Sequence, residues 1–266
     1  MATYTTNHAP SVLATHSWRT AQNSAAYLFP HLTPAMQILD IGCGPGTITV
    51  DLATHIPEGH ITGLEYFGDP LPAARSLAAS RGIKNITFTT GDIHSLPFAD
   101  NTFDVIHVHQ VLQHIADPVA GLREMRRVAK PGGIVAARES DRFSWFPANS
   151  GIEAWVDVTT RVQRAGGGNP HPGSKLHVWA KEAGFELEDH RVKRSAGAWC
   201  FSTPAEREYW GGGMARRMED SGFVEKALAE GVPREELGQI VAGWREWVDD
   251  KEGWFGVLHG EILCWK

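Results

Sequence analysis

The chain has 266 residues, 42% hydrophobic and 21% charged, with 25 Lys and Arg against 31 Asp and Glu for a net charge of −6. This length and balance fit one large globular domain with an ample core, and the acidic sign excludes the basic footprint of a nucleic-acid binder. No stretch reaches the roughly 18 apolar residues of a membrane span, and Cys43, Cys200 and Cys264 are too far apart for a metal site or a disulfide framework.

Residues 1–14 are polar and irregular. Met1 to Asn7 lacks the charged start and apolar block of a secretory leader, so a cytoplasmic setting is expected. Residues 16–32 read as a helix up to Pro30. Residues 38–46, Ile-Leu-Asp-Ile-Gly-Cys-Gly-Pro-Gly, form an apolar strand that ends in an acid and then three alternate glycines. A helix over 47–55 follows, stopped at Pro57-Glu58-Gly59. His60–Glu65 reads as a second strand ending in an acid, Leu71–Arg81 as an Ala-rich helix closed by Gly82. Ile86-Thr-Phe-Thr is a third strand, followed by Gly91-Asp92-Ile93, and Asp104–His109 is a fourth. Pro118–Val128 is an amphipathic helix with Leu122, Met125 and Val128 on one face. Lys130-Pro-Gly-Gly133 reads as a turn and Ile134-Val-Ala-Ala as a fifth strand.

Beyond residue 140 the pattern changes. Ile152–Arg164 is predicted helical, 165–173 a turn-rich loop, Lys175–Ala183 a helix, Phe185–Lys193 a strand. Glu206–Val248 is mostly helical with breaks at Gly211-Gly-Gly213 and Val232-Pro233, and a last strand lies within Trp254–Trp265. Of the ten tryptophans only Trp18 precedes residue 144. The first half therefore reads as a cofactor scaffold and the second as an aromatic-rich cover.

Five strands alternating with helices imply a doubly wound, mostly parallel α/β sheet, with its ligand at the carboxyl ends of the strands. The glycines let the backbone turn tightly and approach a ligand without a Cβ between. The free N–H groups of the next helix favour an electron-rich group. A dinucleotide fingerprint would need glycine at Thr47, so a nicotinamide dehydrogenase conflicts with the spacing. Glu65 also fits a solvated strand-end acid, and Asp92 a turn residue. Asp69 and Asp141 lack partner ligands, and no metal is expected.

The ordered set Leu39-Asp-Ile-Gly-Cys-Gly-Pro-Gly46, Phe103-Asp-Val-Ile106 and Val128-Ala-Lys-Pro-Gly-Gly133 resembles class I S-adenosylmethionine (SAM) dependent methyltransferases of the UbiE-like (type 11) group. Arg19-Thr20 through Tyr27 and the 168–173 loop also resemble fungal small-molecule members. The resemblance implies a Rossmann-like seven-stranded sheet in a single domain, with a SAM-binding core over 15–140 and a helical substrate cover over 144–183 and 205–250. It implies that Asp40, Gly42, Cys43 and Gly44 approach the methionine part of SAM. Glu65 would accept from the ribose hydroxyls, Asp92 from the adenine amino group, and Ile93 would meet the adenine ring. His109 and Gln110 would line the sulfonium region, with Thr20 and Tyr27 closing over the cofactor.

His107 and His109 alternate along one strand and share a face. His109 is the candidate catalytic base, since imidazole titrates near neutrality; His114 reads as structural, and His16 and His171 lie in segments able to cover the pocket. The expected activity is in-line methyl transfer to a small hydrophobic metabolite of secondary metabolism, at oxygen ahead of carbon or nitrogen. The Asn/Asp-Pro-Pro motif of DNA amino methylation is missing where His109-Gln-Val-Leu112 stands. A SAM-steered rearrangement or cyclisation, or a non-catalytic binding role, stays open.

Overall fold

The computed structural model describes residues 18–188 and 190–266; residues 1–17, His16 among them, lie outside the described residues. Five parallel strands come first in the sheet: β1 (Gln37–Ile41), β2 (His60–Glu65), β3 (Ile86–Thr90), β4 (Phe103–His109) and β5 (Ala129–Phe146). With β6 (Val192–Phe201) and β7 (Trp254–Trp265) they give the order β3-β2-β1-β4-β5-β7-β6, in which β7 alone runs against its neighbours. The order reverses between β1 and β4, and a ligand crevice opens at such a switch point.

The elements form where capping and burial agree. A short α1 (Ala21–Ser24) is closed by a capping box, in which the Thr20 hydroxyl accepts from Asn23 N and Asn23 Oδ1 accepts from Thr20 N. The single helix expected over 16–32 therefore breaks: the chain restarts as a 3-10 turn over Ala26–His31, which carries Pro30. Helices α2 (Thr47–His55), α3 (Leu71–Ser80) and α4 (Pro118–Val128) follow β1, β2 and β4. Pro118 opens α4, where its missing N–H costs nothing, and Asp117 accepts from Ala120 N.

Apolar layers cover both faces of the sheet. Leu28, Ile38, Leu52 and Ile61 fill one; Leu39, Ile106, Leu122 and Met125 fill the other. The second layer also holds Leu176 and Ala180 of α6 (Leu176–Glu182) with Ala183 and Phe185. This corrects two expectations. Helix α6 flanks the sheet instead of belonging to the substrate cover, and Phe185 anchors its exit loop, so the strand starts only at Val192.

The segment 130–133 falls within the bounds of β5 but has no partner on β4, whose register jumps from Ala129 to Ile134, and Gly132 has φ +75°, so it keeps the expected turn as a bulge in the strand. Past a register shift between Ser140 and Arg142, β5 continues against β7 alone, to the pair Phe146 and Trp254. On this extension sits a separate core built from α5 (Ser150–Ala165), α7 (Pro204–Arg207), α8 (Gly213–Asp220), α9 (Gly222–Ala229) and α10 (Arg234–Asp249). Trp155, Trp199, Phe201, Trp210, Phe223, Trp244, Trp247 and Phe255 are its buried aromatic members. The glycines at 211–213 do not break this helical run. A π turn over Glu208–Gly212 leads into α8, and a Cβ on Gly211 would lie 2.8 Å from the Trp247 ring. Among the described residues no helix is long and apolar enough to cross a membrane.

Candidate active site

The strand ends at the switch point build a cleft of about 1100 Å³. It is lined by the 40–45 loop, Leu64 to Phe67, Gly91 to Ile93, His109 to Val111, His114 and Arg19. Gly42, Gly44 and Gly46 have φ of +71°, +53° and +80°, left-handed values that glycine adopts without penalty. A Cβ on Gly42 would collide with Val111, and one on Gly46 would lie 2.8 Å from Ala74 Cβ; one on Gly44 meets nothing within 4 Å. The loop thus presses on the protein at 42 and 46 and leaves Gly44 facing open space. Gly46→Ala is expected to lose about 2–5 kcal/mol of unfolding free energy, from left-handed strain plus overpacking, and Gly44→Ala only about 1–2. Denaturant titration without ligand checks this, and equal losses would contradict it.

Glu65, at the carboxyl end of β2, accepts from Gly44 N and from Tyr66 N, each at 2.9 Å. Asp92 accepts from His94 N at 2.9 Å and lies 2.8 Å from His94 Nδ1. Burial works against its charge, but the hydrogen bonds from His94 prevail and hold the carboxyl below its ordinary value. Ile93 is buried beside it.

Asp40 plays a different part. Its two oxygens lie 2.7 Å from His107 Nδ1 and 2.6 Å from Thr49 Oγ1, with all three groups buried. The carboxylate is occupied in tying β1 to β4 and α2, so it braces the loop from behind. Cys43 is buried, which pushes its thiol well above the ordinary range and leaves it a packing residue.

The cleft suits SAM on its own geometry. An open cradle at Gly44, a strand-end carboxylate at its rim and an apolar slot beside Asp92 match a zwitterionic chain, a ribose and an adenine. The Methyltransferase domain family matches residues 32–184. The chain is a class I SAM-dependent methyltransferase.

Relatives and solved structures agree with this. An uncharacterized methyltransferase of Schizosaccharomyces pombe is 34% identical over 99% of this chain and 96% of its own. A demethylmenaquinone methyltransferase of Listeria welshimeri is 35% identical over 60% of this chain and 74% of its own. A phosphoethanolamine N-methyltransferase of Haemonchus contortus, solved with S-adenosylhomocysteine (SAH), shares the fold at TM-score 0.53 and 20% identity, over 90% of this chain and 52% of that one. The methyltransferase therefore uses SAM as its methyl donor.

Two of its expected cofactor contacts fall elsewhere. Thr20 caps α1 and does not line the cleft. Tyr27 is half-buried among the apolar residues below β1 and β4, with its hydroxyl sealed from solvent, and burial followed by Glu261 raises its pKa well above the ordinary value. His109 does reach the cleft. Its ring lies 5.5 Å from Trp199 and 6.1 Å from His259, and neither ring nitrogen has a partner among the described residues. Burial, then Arg19 and Arg138, drive its pKa well below the ordinary value. It is neutral, and a weaker base than free imidazole.

Sequence reading named Gln110 but missed the polar group gathered around it. Gln110, at φ +54°, accepts from Arg19 at 2.7 Å and lies 3.0 Å from His259 Nε2. Burial first, then Arg138, depresses His259 to about 2. Its Nε2 therefore accepts from the Gln110 amide. Arg138 and Arg19 lie over the Trp199 ring at 5.0 and 5.7 Å. Trp199 Nε1 donates to Asn23 O, binding α1 to β6. Next in β5, buried Glu139 accepts from the backbone N–H groups of Val111, Leu112 and Gln113.

A second cavity, of about 1040 Å³, shares Arg19, Gln110 and His114 with the first. Its further walls come from the β5 extension, α5, α8 and the 170–171 loop. His114, read from sequence as structural, stands at the junction. His171 lines the second cavity, as expected of a covering segment, and its Nδ1 bonds the Asp141 carbonyl.

Proposed function

We propose that this methyltransferase transfers the methyl group of SAM to an oxygen of a small, flat, apolar metabolite held in the second cavity. The observation that carries this is the junction at Arg19, Gln110 and His114, where an aromatic-walled cavity adjoins the cofactor cleft. Phe143, Trp155, Trp210 and Phe223 suit a flat ring system.

SAM, when bound, supplies a methyl group already activated on a sulfonium. The chain's own part is to hold and orient. Glu65 takes the ribose hydroxyls, because a carboxylate offers two acceptor oxygens. Asp92 and Ile93 take the adenine, and Gly42 to Gly44 take the methionine chain. His109 and Gln110 wall the methyl end. Alignment of acceptor and methyl contributes about 7–11 kcal/mol. Oxygen is favoured over a charged amine because two guanidiniums, Arg19 and Arg217, line the acceptor cavity. The only carboxylate among its described lining residues, Asp141, accepts from Ser174 N and Oγ.

The test is incubation with SAM and a panel of apolar phenols and acids, followed by mass spectrometry. The expected product is heavier by one methylene, with SAH formed in equal amount. A product of unchanged mass would overturn methyl transfer in favour of a rearrangement.

A further inference from the structure

The second cavity joins an apolar body to a cationic end. Phe143, Trp155, Trp210, Met214 and Phe223 form the body. Arg217 of α8 enters from one side and Arg19 stands at the junction with the cofactor cleft. Both guanidiniums, with Lys226, bear electrostatically on His114, which lines both cavities.

We propose that the acceptor carries an oxyanion, a carboxylate or an acidic phenolate, on its apolar ring system, received by Arg217 and Arg19. This deepens the reading of the second cavity as the acceptor site and rests on it. The oxyanion is also the nucleophile. Its lone pair forms the new O–C bond as the S–C bond of the donor breaks. The released electron pair stays on sulfur, which passes from cation to neutral thioether, and no proton moves. An acceptor that arrives ionised needs no base. That agrees with His109, His114 and His259, each held by burial in a weakly basic form.

Calorimetry on the full chain saturated with SAH tests this, using 2-naphthoate, its neutral methyl ester and 2,4-dinitrophenolate as probes. The acid is expected to bind at least about tenfold tighter than the ester, a gap of roughly 1.4 kcal/mol. Arg217→Gln should erase the preference and Arg217→Lys should keep part of it. Tighter binding of naphthoate assigns a carboxylate, of dinitrophenolate a phenolate. Should Arg217→Gln not fold, Arg19→Gln is expected to reduce the same preference. Acid and ester bound equally, neither bound, or a preference untouched by these variants overturns the proposal. Failure of SAH itself to bind would instead remove the cofactor reading beneath it.

Discussion

Glu65→Ala is expected to weaken binding of SAM and SAH by at least about 100-fold. On the proposed reading, Glu65 accepts two hydrogen bonds from ribose hydroxyls; such bonds to an ionised carboxylate contribute about 1.5–3 kcal/mol each, and each decade of affinity is about 1.4 kcal/mol. The variant also removes the acceptor for Gly44 N, so the loop loses one of its ties to β2 and keeps those from Gly42 N and Cys43 N to Leu64 O. Glu65→Gln keeps one acceptor oxygen and should fall between. Because Glu65 sits at the end of its strand, circular dichroism and the unfolding midpoint should move little. SAH binding within a few-fold of the parent, by calorimetry on a folded Glu65→Ala protein, would show that the ribose does not sit at this acid.

The legible parts of the site are those that depend on local backbone. The run from Ile38 to Gly46 carries its own geometry, since a strand that ends in alternate glycines has few other shapes. Glu65 and Asp92 were readable as cleft residues because one ends β2 and the other follows β3, and the parallel sheet brings such ends together. What stayed hidden depends on β7, which returns from the chain's far end and threads between β5 and β6. It brings His259 beside Gln110 and Glu261 beside Arg138, across separations that no periodicity encodes. Asp40 shows the opposite limit. It lines the cleft, as its place in the motif suggests, but its carboxylate is held by His107, two residues before the expected cleft histidine. The cover was legible as aromatic and helical, but α6 was assigned to it because one helix pattern resembles another. Only the packing of Leu176 and Ala180 on α4 distinguishes a sheet-flanking helix from a lid.

Glu139 should prove the costliest polar residue to remove. It is fully buried, and its Oε1 accepts from Val111 N and Leu112 N at 2.8 Å, with Gln113 N at 3.4 Å from Oε2. Glu139→Ala strands these donors, at about 1–3 kcal/mol each, so a loss on the order of 3–6 kcal/mol is expected from a total of about 5–15. Glu139→Gln retains one oxygen able to accept both short bonds and is the variant to study. Burial, outweighing the backbone donors and Arg19, pushes the Glu139 carboxyl up from 4.5 to about 7. The unfolded chain therefore gives up this proton first as pH rises. Stability linked to Glu139 is complete below about pH 4.5 and is lost as pH climbs through about 7, by up to about 3 kcal/mol. Denaturant titrations at pH 5 and pH 8 should show the parent's advantage over Glu139→Gln shrinking at the higher pH. A gap independent of pH would mean that the buried carboxyl ionises as it does in water. The same segment carries Gln110, which lines both cavities. Glu139→Gln should therefore weaken SAH binding and the acid-over-ester preference together, because one buried carboxylate holds the wall that the cofactor and the acceptor share.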